Sequence, residues 1–207
     1  MVEEDDAVGR WQRIKRPGGV GRWLLVIGLV VVLPVLVVVG IVLGAGRPLA
    51  LGAVQRLAAR KFPAVLWVEP EELALWRSDS SRAQPVLLDA RTSPEYGVSH
   101  LQGATRIDSR RPVLRGIDKF PRDTPVVVYC TVGYRSARVA QWLRRQGFRT
   151  VYDLAGGLFA WANQGRPMEA NGRAVLSVHP YNSLWSRLLK PEVRGDQPPV
   201  TDPLSLP

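Results

Sequence analysis

Short apolar runs alternate with amphipathic stretches through the middle of the chain. The apolar runs predict five strands, near 65–68, over 86–89, near 104–107, and over 125–129 and 150–154. The amphipathic stretches predict helices over 70–77, 93–97, 135–146 and 157–164, with further helical residues around 110–118. Apolar strands that alternate with helices are typical of a parallel sheet covered on both faces. The pattern therefore predicts an α/β domain, which we place over residues 64–170.

A longer apolar run precedes this domain. The segment 23–46 has 24 residues without a charge and is rich in Val, Leu and Ile. At about 1.5 Å per residue, a helix of this length crosses a hydrocarbon core of about 30 Å. Trp23 stands where an interfacial aromatic is expected, and membrane helices tolerate a kink of the kind that Pro34 introduces. We therefore predict a single-pass transmembrane helix over 23–46 and a membrane location.

The alternative for this run is a cleaved secretory signal peptide, because the small residues Gly44-Ala45-Gly46 resemble a cleavage site. The apolar region of a signal peptide is usually shorter, about 7–15 residues, which favours a retained anchor. Five basic residues precede the run and four follow it before residue 63. This balance leaves open the side of the membrane on which the catalytic domain lies.

Three further segments flank the predicted span and domain. Residues 1–22 are acidic, then basic, and predict a mobile tail. Residues 47–63 predict an amphipathic linker helix, because their apolar positions recur at helical spacing. Residues 171–207 predict a C-terminal extension that ends in a Pro-rich tail.

The chain is basic, with 28 Lys and Arg against 18 Asp and Glu and a net charge of +10. Half of that excess lies within residues 1–63, where it favours contact with anionic lipid headgroups. No basic and aromatic motif accompanies the charge, so we predict no nucleic-acid binding. One cysteine and two distant histidines cannot supply a zinc ligand set, and we predict neither a metal nor a cofactor.

Cys130 is the only cysteine, and it follows the apolar run Val126–Tyr129 at the predicted end of a strand. A short loop separates it from the next helix, so the thiol faces a helix N-terminus. Free N–H groups and the helix dipole favour an anion there and lower the thiol pKa from about 8.5. A buried structural cysteine is the alternative. The polar neighbours Thr131 and Arg135 favour the reactive interpretation.

Four residues separate Cys130 from Arg135, with Gly133 among them. A loop this short can point several backbone N–H groups at one anion. Arg135 adds a fork of donors suited to an oxyanion. The sequence therefore predicts an anion-binding loop around the sulfur.

Four segments, in family order, resemble motifs of the rhodanese family of sulfurtransferases. The resemblance covers residues 64–168, about half the chain. Residues 130–136 match Cys-x-x-Gly-x-Arg-Ser, 87–96 resemble the Asp-x-Arg segment, 99–104 resemble "GHI-x-GA" with Ser99 in place of Gly, and 154–161 match "GG-x-x-AW". The resemblance implies a rhodanese-like parallel five-stranded sheet with helices on both faces. The apolar run over 23–46 predicts one transmembrane helix before it.

The resemblance also implies a thiosulfate sulfurtransferase-like enzyme. The Cys130 thiolate would take the outer sulfur of an anionic donor such as thiosulfate and pass it, as a persulfide, to a thiol or cyanide acceptor. The six residues after the nucleophile would hold the anionic sulfur, namely Thr131, Val132, Gly133, Tyr134, Arg135 and Ser136. Asp89 and Arg91 follow a strand at the same sheet edge, and we expect them to brace the loops as an ion pair.

Two other functions remain open. The domain could bind a partner, or carry a persulfide to a protein acceptor, with little turnover of small molecules. Cysteine phosphatases share the fold, but their loop places five residues between Cys and Arg and usually has His before the Cys. Here four residues intervene and residue 129 is Tyr, which disfavours a phosphatase.

Overall fold

The computed structural model of the protein describes residues 33–195, with side chains from residue 46 onward. The chain divides between Gly44 and Ala45, and the elements that form the candidate site lie in the second unit, Ala45–Pro207. The predictions for residues 1–22, for residues 23–32 of the span and for the tail after residue 195 lie outside the described residues.

A five-stranded parallel sheet forms the centre of this unit, as predicted. Its strands are β1 (Leu66–Val68), β2 (Val86–Asp89), β3 (Thr105–Arg106), β4 (Val126–Tyr129) and β5 (Val151–Leu154). They lie in the order β1-β5-β4-β2-β3, and all neighbouring pairs are parallel. β4 is therefore central. In such sheets, sites form beyond the carboxyl ends of the strands, which is where residue 130 lies.

The three inner strands β2, β4 and β5 are largely apolar because both faces of the sheet are buried there. Val128 of β4 packs in one hydrophobic cluster with helix residues that include Leu143. The neighbouring Val127 packs in a second cluster with Phe159. Since successive side chains of a strand point to opposite faces, the two clusters lie on the two sides of the sheet. This burial explains why the strands appear in the sequence as continuous apolar runs rather than alternating ones.

Five α-helices are present among the described residues: α1 (Leu33–Lys61), α2 (Pro70–Ser78), α3 (Ser93–Val98), α4 (Tyr134–Arg145) and α5 (Gly157–Asn163). The last four confirm the predicted helices to within one residue at each end. The helical residues predicted around 110–118 are wrong, because that segment forms turns. The side chain of Asp108 accepts bonds from the Arg110 and Arg111 N–H groups, and Gly116 has a φ of +84°. Local side-chain bonds of this kind compete with a helix.

α1 includes residues of two segments that the sequence predicts as separate helices. The predicted boundary between the span over 23–46 and the linker helix over 47–63 falls inside this one helix. Pro48 lies within α1 without ending it, although its ring removes one backbone donor and crowds the carbonyl one turn earlier. No helix within residues 33–195 combines the length and the apolar character needed to cross a membrane. The predicted transmembrane helix therefore finds no support in the described residues.

An antiparallel hairpin of β6 (Met168–Ala170) and β7 (Arg173–Val175) follows α5. The apolar pattern alone does not predict it, and it spans the predicted end of the domain at residue 170. Asn171 and Gly172 turn the hairpin at φ values of 52° and 74°, which Asn-Gly pairs favour. Two short 3₁₀ helices, Trp185–Leu188 and Pro191–Val193, follow it.

Candidate active site

Cys130 lies at the carboxyl end of the central strand β4, in the position that the sequence predicts. The loop after it turns at Gly133, whose φ of 100° is in the left-handed region that glycine readily adopts. The 12-residue helix α4 begins at the next residue. The sulfur therefore sits at a helix N-terminus, and Cys130 is only 1% exposed.

The first turn of α5 fixes the loop around the sulfur. The backbone N–H groups of Leu158 and Phe159 donate to the carbonyl oxygens of Cys130 at 2.8 Å and Thr131 at 3.1 Å. Gly157 permits this approach, because a Cβ there would lie 2.5 Å from the Cys130 carbonyl oxygen. With its carbonyls bound to α5, the loop can turn N–H groups inward, and Gly133 N–H donates to Sγ at 3.2 Å.

Opposing effects set the pKa of the Cys130 thiol. Burial raises this pKa, whereas the Arg135 charge and interactions with Ser136 and the Val132 backbone lower it, and the net pKa lies below the ordinary value. The Ser136 hydroxyl is buried, and it forms no hydrogen bond of standard geometry with any described residue. The thiol therefore ionises to the nucleophilic thiolate at a lower pH than an ordinary cysteine does.

Arg135 is bound to a carboxylate. Its Nη1 and Nη2 atoms donate to Glu95 at 3.0 and 2.7 Å, and Nη2 also donates to the Thr131 hydroxyl at 2.8 Å. That hydroxyl donates to Glu95 Oε1 at 2.8 Å. The Arg135 charge is therefore largely compensated, and the guanidinium braces the loop against α3.

Glu95 is a site residue whose role the sequence does not reveal. Burial raises its pKa, but the hydrogen bond from Arg135 and the charges of Arg135 and Arg91 outweigh burial and lower it to about 2. Its Oε2 atom also accepts bonds from the Thr92 N–H at 2.9 Å and hydroxyl at 2.6 Å, at the start of α3. A single ionised carboxylate therefore links α3 to the Cys130 loop.

Asp153 is a second buried carboxyl near the sulfur. It lies on β5, paired in register with Val128 of β4, and is fully buried. Neither of its oxygens makes a full hydrogen bond to a described residue. Burial and then the negative charge of the Cys130 thiolate raise its pKa well above the ordinary value, while weaker interactions with Ser136 and the Leu154 backbone lower it. Asp153 thus keeps its proton at pH values where Glu95 is ionised.

Asp89 and Arg91 form the predicted structural ion pair. Arg91 donates to the Asp89 carboxylate through Nε at 2.9 Å and Nη2 at 2.6 Å, and to the Ser99 carbonyl at 2.5 Å. Both side chains are buried, and neither lines the cavity described next. The pair therefore ties β2 to the segment after α3.

A cavity of about 310 Å³ opens over Cys130. Four of the six predicted substrate-binding residues line it: Thr131, Val132, Tyr134 and Arg135. The other two, Gly133 and Ser136, lie next to the sulfur, one with its N–H and one with its buried hydroxyl. The remaining wall residues were not predicted as site residues, and they are Val54 and Leu57 of α1 and Tyr181 and Trp185 of the C-terminal extension.

Known proteins resemble this chain in sequence and in structure. The family model described as "Rhodanese-like domain" matches residues 69–164. A sulfurtransferase from Allochromatium vinosum is 34% identical over 85 residues, which are 41% of this chain and 78% of that protein. The probable adenylyltransferase/sulfurtransferase MoeZ from Mycobacterium tuberculosis is 37% identical over 101 residues, 48% of this chain and 25% of the relative. The chain thus spans about a quarter of the length of that relative. The solved structure of a thiosulfate sulfurtransferase from Pseudomonas aeruginosa matches with a TM-score of 0.48 and 27% identity, covering 55% of this chain and 22% of that one.

Proposed function

Because the chain belongs to the rhodanese-like family, we propose that it is a sulfurtransferase that carries a sulfane sulfur as a persulfide on Cys130. The observation that carries this proposal is the thiol itself. It lies at the base of a cavity, its pKa is lowered, and a loop N–H donates to its sulfur. These are the properties of a nucleophilic cysteine rather than an inert buried one.

The proposed reaction has two steps. The Cys130 thiolate attacks the outer sulfur of the donor, a new S–S bond forms on Cys130, and the donor's S–S bond breaks with its electron pair leaving on the donor remnant. An acceptor thiolate or cyanide then attacks the outer sulfur of the persulfide, and the electron pair of the broken bond returns to Cys130 Sγ. The inward N–H groups of the loop stabilise negative charge on the transferred sulfur.

Thiosulfate as donor and cyanide as acceptor provide the test of this function. We expect the full-length chain, purified in detergent, to gain about 32 Da, the mass of one sulfur, after incubation with thiosulfate. We expect cyanide to remove that sulfur as thiocyanate, and we expect Cys130→Ser to abolish both reactions while melting like the parent. Unchanged thiocyanate production by a folded Cys130→Ser variant would exclude Cys130 from the mechanism.

A persulfide carrier with little small-molecule turnover is the second candidate, and one observation favours it. Since Glu95 binds the Arg135 guanidinium at 2.7 and 3.0 Å, little uncompensated positive charge remains to hold a small dianion. A carrier would accept one sulfur per chain, detected by mass, yet turn over thiosulfate and cyanide slowly. It would release the sulfur rapidly only to an acceptor protein.

A further inference from the structure

The walls of the Cys130 cavity are made mainly of apolar and aromatic side chains. They come from three separate parts of the described chain: α1, the loop with the start of α4, and the C-terminal extension. The residues are Val54 and Leu57, Val132 and Tyr134, and Tyr181 and Trp185. A volume of about 310 Å³ falls within the range of small-molecule pockets and exceeds what an inorganic thiosulfate ion needs.

Positive charge in the cavity is scarce. Among the described lining residues, Arg135 is the only basic one, and it is bound to the buried Glu95 carboxylate. The Tyr181 ring lies over the same guanidinium, 5.1 Å from Cζ to the ring centroid. Lys61 donates to the Tyr134 hydroxyl at 2.6 Å but is not part of the described lining. A small inorganic dianion would therefore gain little from this site beyond the loop N–H groups.

Two residues of the cavity wall, Leu57 and Tyr181, have properties that are typical of ligand-binding positions. Leu57 is 60% exposed although it borders the cavity, so its apolar surface is available to whatever enters. Tyr181 has a φ of 65°, an uncommon conformation for a bulky residue, and its N–H donates to His179 Nδ1 at 2.9 Å. Backbone strain of this kind tends to occur at ligand-binding positions.

We propose that the Cys130 site selects sulfur donors with an apolar organic body, of the form R–SO₂–S⁻, over inorganic thiosulfate. This inference rests on the proposed sulfurtransferase function. The group R occupies the cavity between Leu57 and Trp185, and the outer sulfur meets Cys130. The Cys130 thiolate attacks that sulfur, the S–S bond of the donor breaks, and the electron pair leaves on the sulfinate R–SO₂⁻. Cys130 then carries the persulfide.

The test compares three donors that share the sulfane sulfur: thiosulfate, methanethiosulfonate and benzenethiosulfonate. Each kcat/KM, with cyanide as acceptor, is divided by the rate at which the same donor reacts with a free small thiol, which removes intrinsic reactivity. The two organic donors carry the same charge and differ in R. We expect benzenethiosulfonate to exceed methanethiosulfonate by about tenfold or more, because the cavity removes the ring from water. We expect thiosulfate to be the slowest of the three.

Matched leucine variants locate the effect. Leu57→Arg puts a cation at the cavity mouth, and we expect it to lower the benzene-to-methane ratio by about tenfold. Leu75 on α2 is 71% exposed and lies outside the cavity lining, so Leu75→Arg should leave the ratio unchanged. Both substitutions are at exposed positions, and the melting temperature of each variant verifies folding.

The possible failures are distinguishable. If Cys130 gains no sulfur from any of the donors, the proposed function itself is overturned. If Cys130 gains sulfur but thiosulfate is preferred, or the two organic donors are equal in the parent chain, the function stands and the selectivity proposal is wrong. Equal effects of Leu57→Arg and Leu75→Arg would also contradict it.

Discussion

Glu95 and Asp153 are both buried carboxyls near Cys130, and their neighbours give them opposite protonation behaviour. Arg135, Arg91 and Thr92 surround Glu95 with donors and positive charge, which more than offset its burial. Among the described residues, Asp153 has no cation beside it to compensate for burial, and burial and the Cys130 thiolate outweigh the interactions with Ser136 and the Leu154 backbone. A buried carboxylate stays ionised only where donors compensate for lost water, so the two residues lead to tests with opposite pH dependence.

The first test replaces Glu95 by Gln. Because its folded-state pKa of about 2 lies below its ordinary value of 4.5, the stability that it contributes is present above pH 4.5 and is lost as the pH falls toward 2. We expect the variant to be less stable than the parent at pH 7 by on the order of 3 kcal/mol. Urea unfolding should show this difference in unfolding free energy shrinking as the pH falls from 4.5 to 2.

Glu72→Gln, at an exposed position of α2, is the control for this titration and should change stability little at any of these pH values. A Glu95→Gln deficit that stays constant from pH 7 to pH 3 would mean that the Arg135 contact does not depend on the Glu95 charge.

The second test replaces Asp153 by Asn. Because burial raises the pKa of Asp153, the stability linked to its proton is fully present below the ordinary value of 3.8 and is lost as the pH rises through the folded-state pKa. Asn has no proton to lose. We therefore expect Asp153→Asn to gain stability relative to the parent as the pH rises above 3.8, measured as unfolding free energy.

Asp123→Asn, at an exposed position, should show no comparable trend across this range. If the advantage of Asp153→Asn over the parent were flat or fell with rising pH, Asp153 would have to be ionised in the folded protein.

At the residue scale, local spacing predicts the reactive loop but not its partners. Cys130, Gly133 and Arg135 lie within one loop, so their spacing alone brings them together. Glu95 lies 40 positions from Arg135, and only the fold brings the two into contact. Asp153 is an isolated acid in an apolar strand of the sequence, and an ionisable residue in such a run is the signal that could have identified it.

At the scale of elements, the contact between α5 and the Cys130 loop depends on Gly157. A Cβ at this position would lie 2.5 Å from the Cys130 carbonyl oxygen and 2.6 Å from that of Thr131, and φ is 60°. We expect Gly157→Ala to lower the free energy of unfolding by about 3 kcal/mol, and to reduce sulfur loading because the loop must move.

Gly165→Ala separates the two effects of this substitution. Gly165 has a similar φ of 69°, but a Cβ there would meet nothing within 4 Å. Gly165→Ala should therefore lower the free energy of unfolding by only about 1–2 kcal/mol, through backbone strain, and leave sulfur loading intact. Equal losses in the two variants, with normal loading by Gly157→Ala, would show that the close approach of α5 does not shape the loop.

The elements differ in how far the sequence determines them. The five strands and α2 to α5 are predicted to within about two residues. Most of them bury a continuous apolar run or one face, whereas the edge strand β3 is a short exposed pair, Thr105–Arg106. The hairpin of β6 and β7 is absent from the prediction although Asn171-Gly172 is a strong turn signal, since its strands of three residues are too short to show alternation. α1 continues through Pro48, and the burial of Leu51 and Ala58 stabilises the part of the helix that follows this proline.

At the scale of the whole molecule, we propose membrane attachment through the apolar run over 23–46, most of whose side chains lie outside the described residues. Since that run has no charge, attachment through it would be hydrophobic rather than ionic. We expect the full-length chain to sediment with membranes after washing with carbonate and with high salt. Release of the intact chain would contradict an anchor, and release of a shortened protein beginning near Arg47 would establish a cleaved signal peptide.

The cavity over Cys130 has walls from both sides of the segment that matches the family model, residues 69–164. Val54 and Leu57 precede that segment, and Tyr181 and Trp185 follow it. The nucleophile, its loop and Glu95 all lie inside it. Natural selection can therefore alter which molecules reach the sulfur by changing the flanking sequences, without altering the chemistry that the inherited core performs. Close relatives with the same loop are expected to diverge first in these four positions.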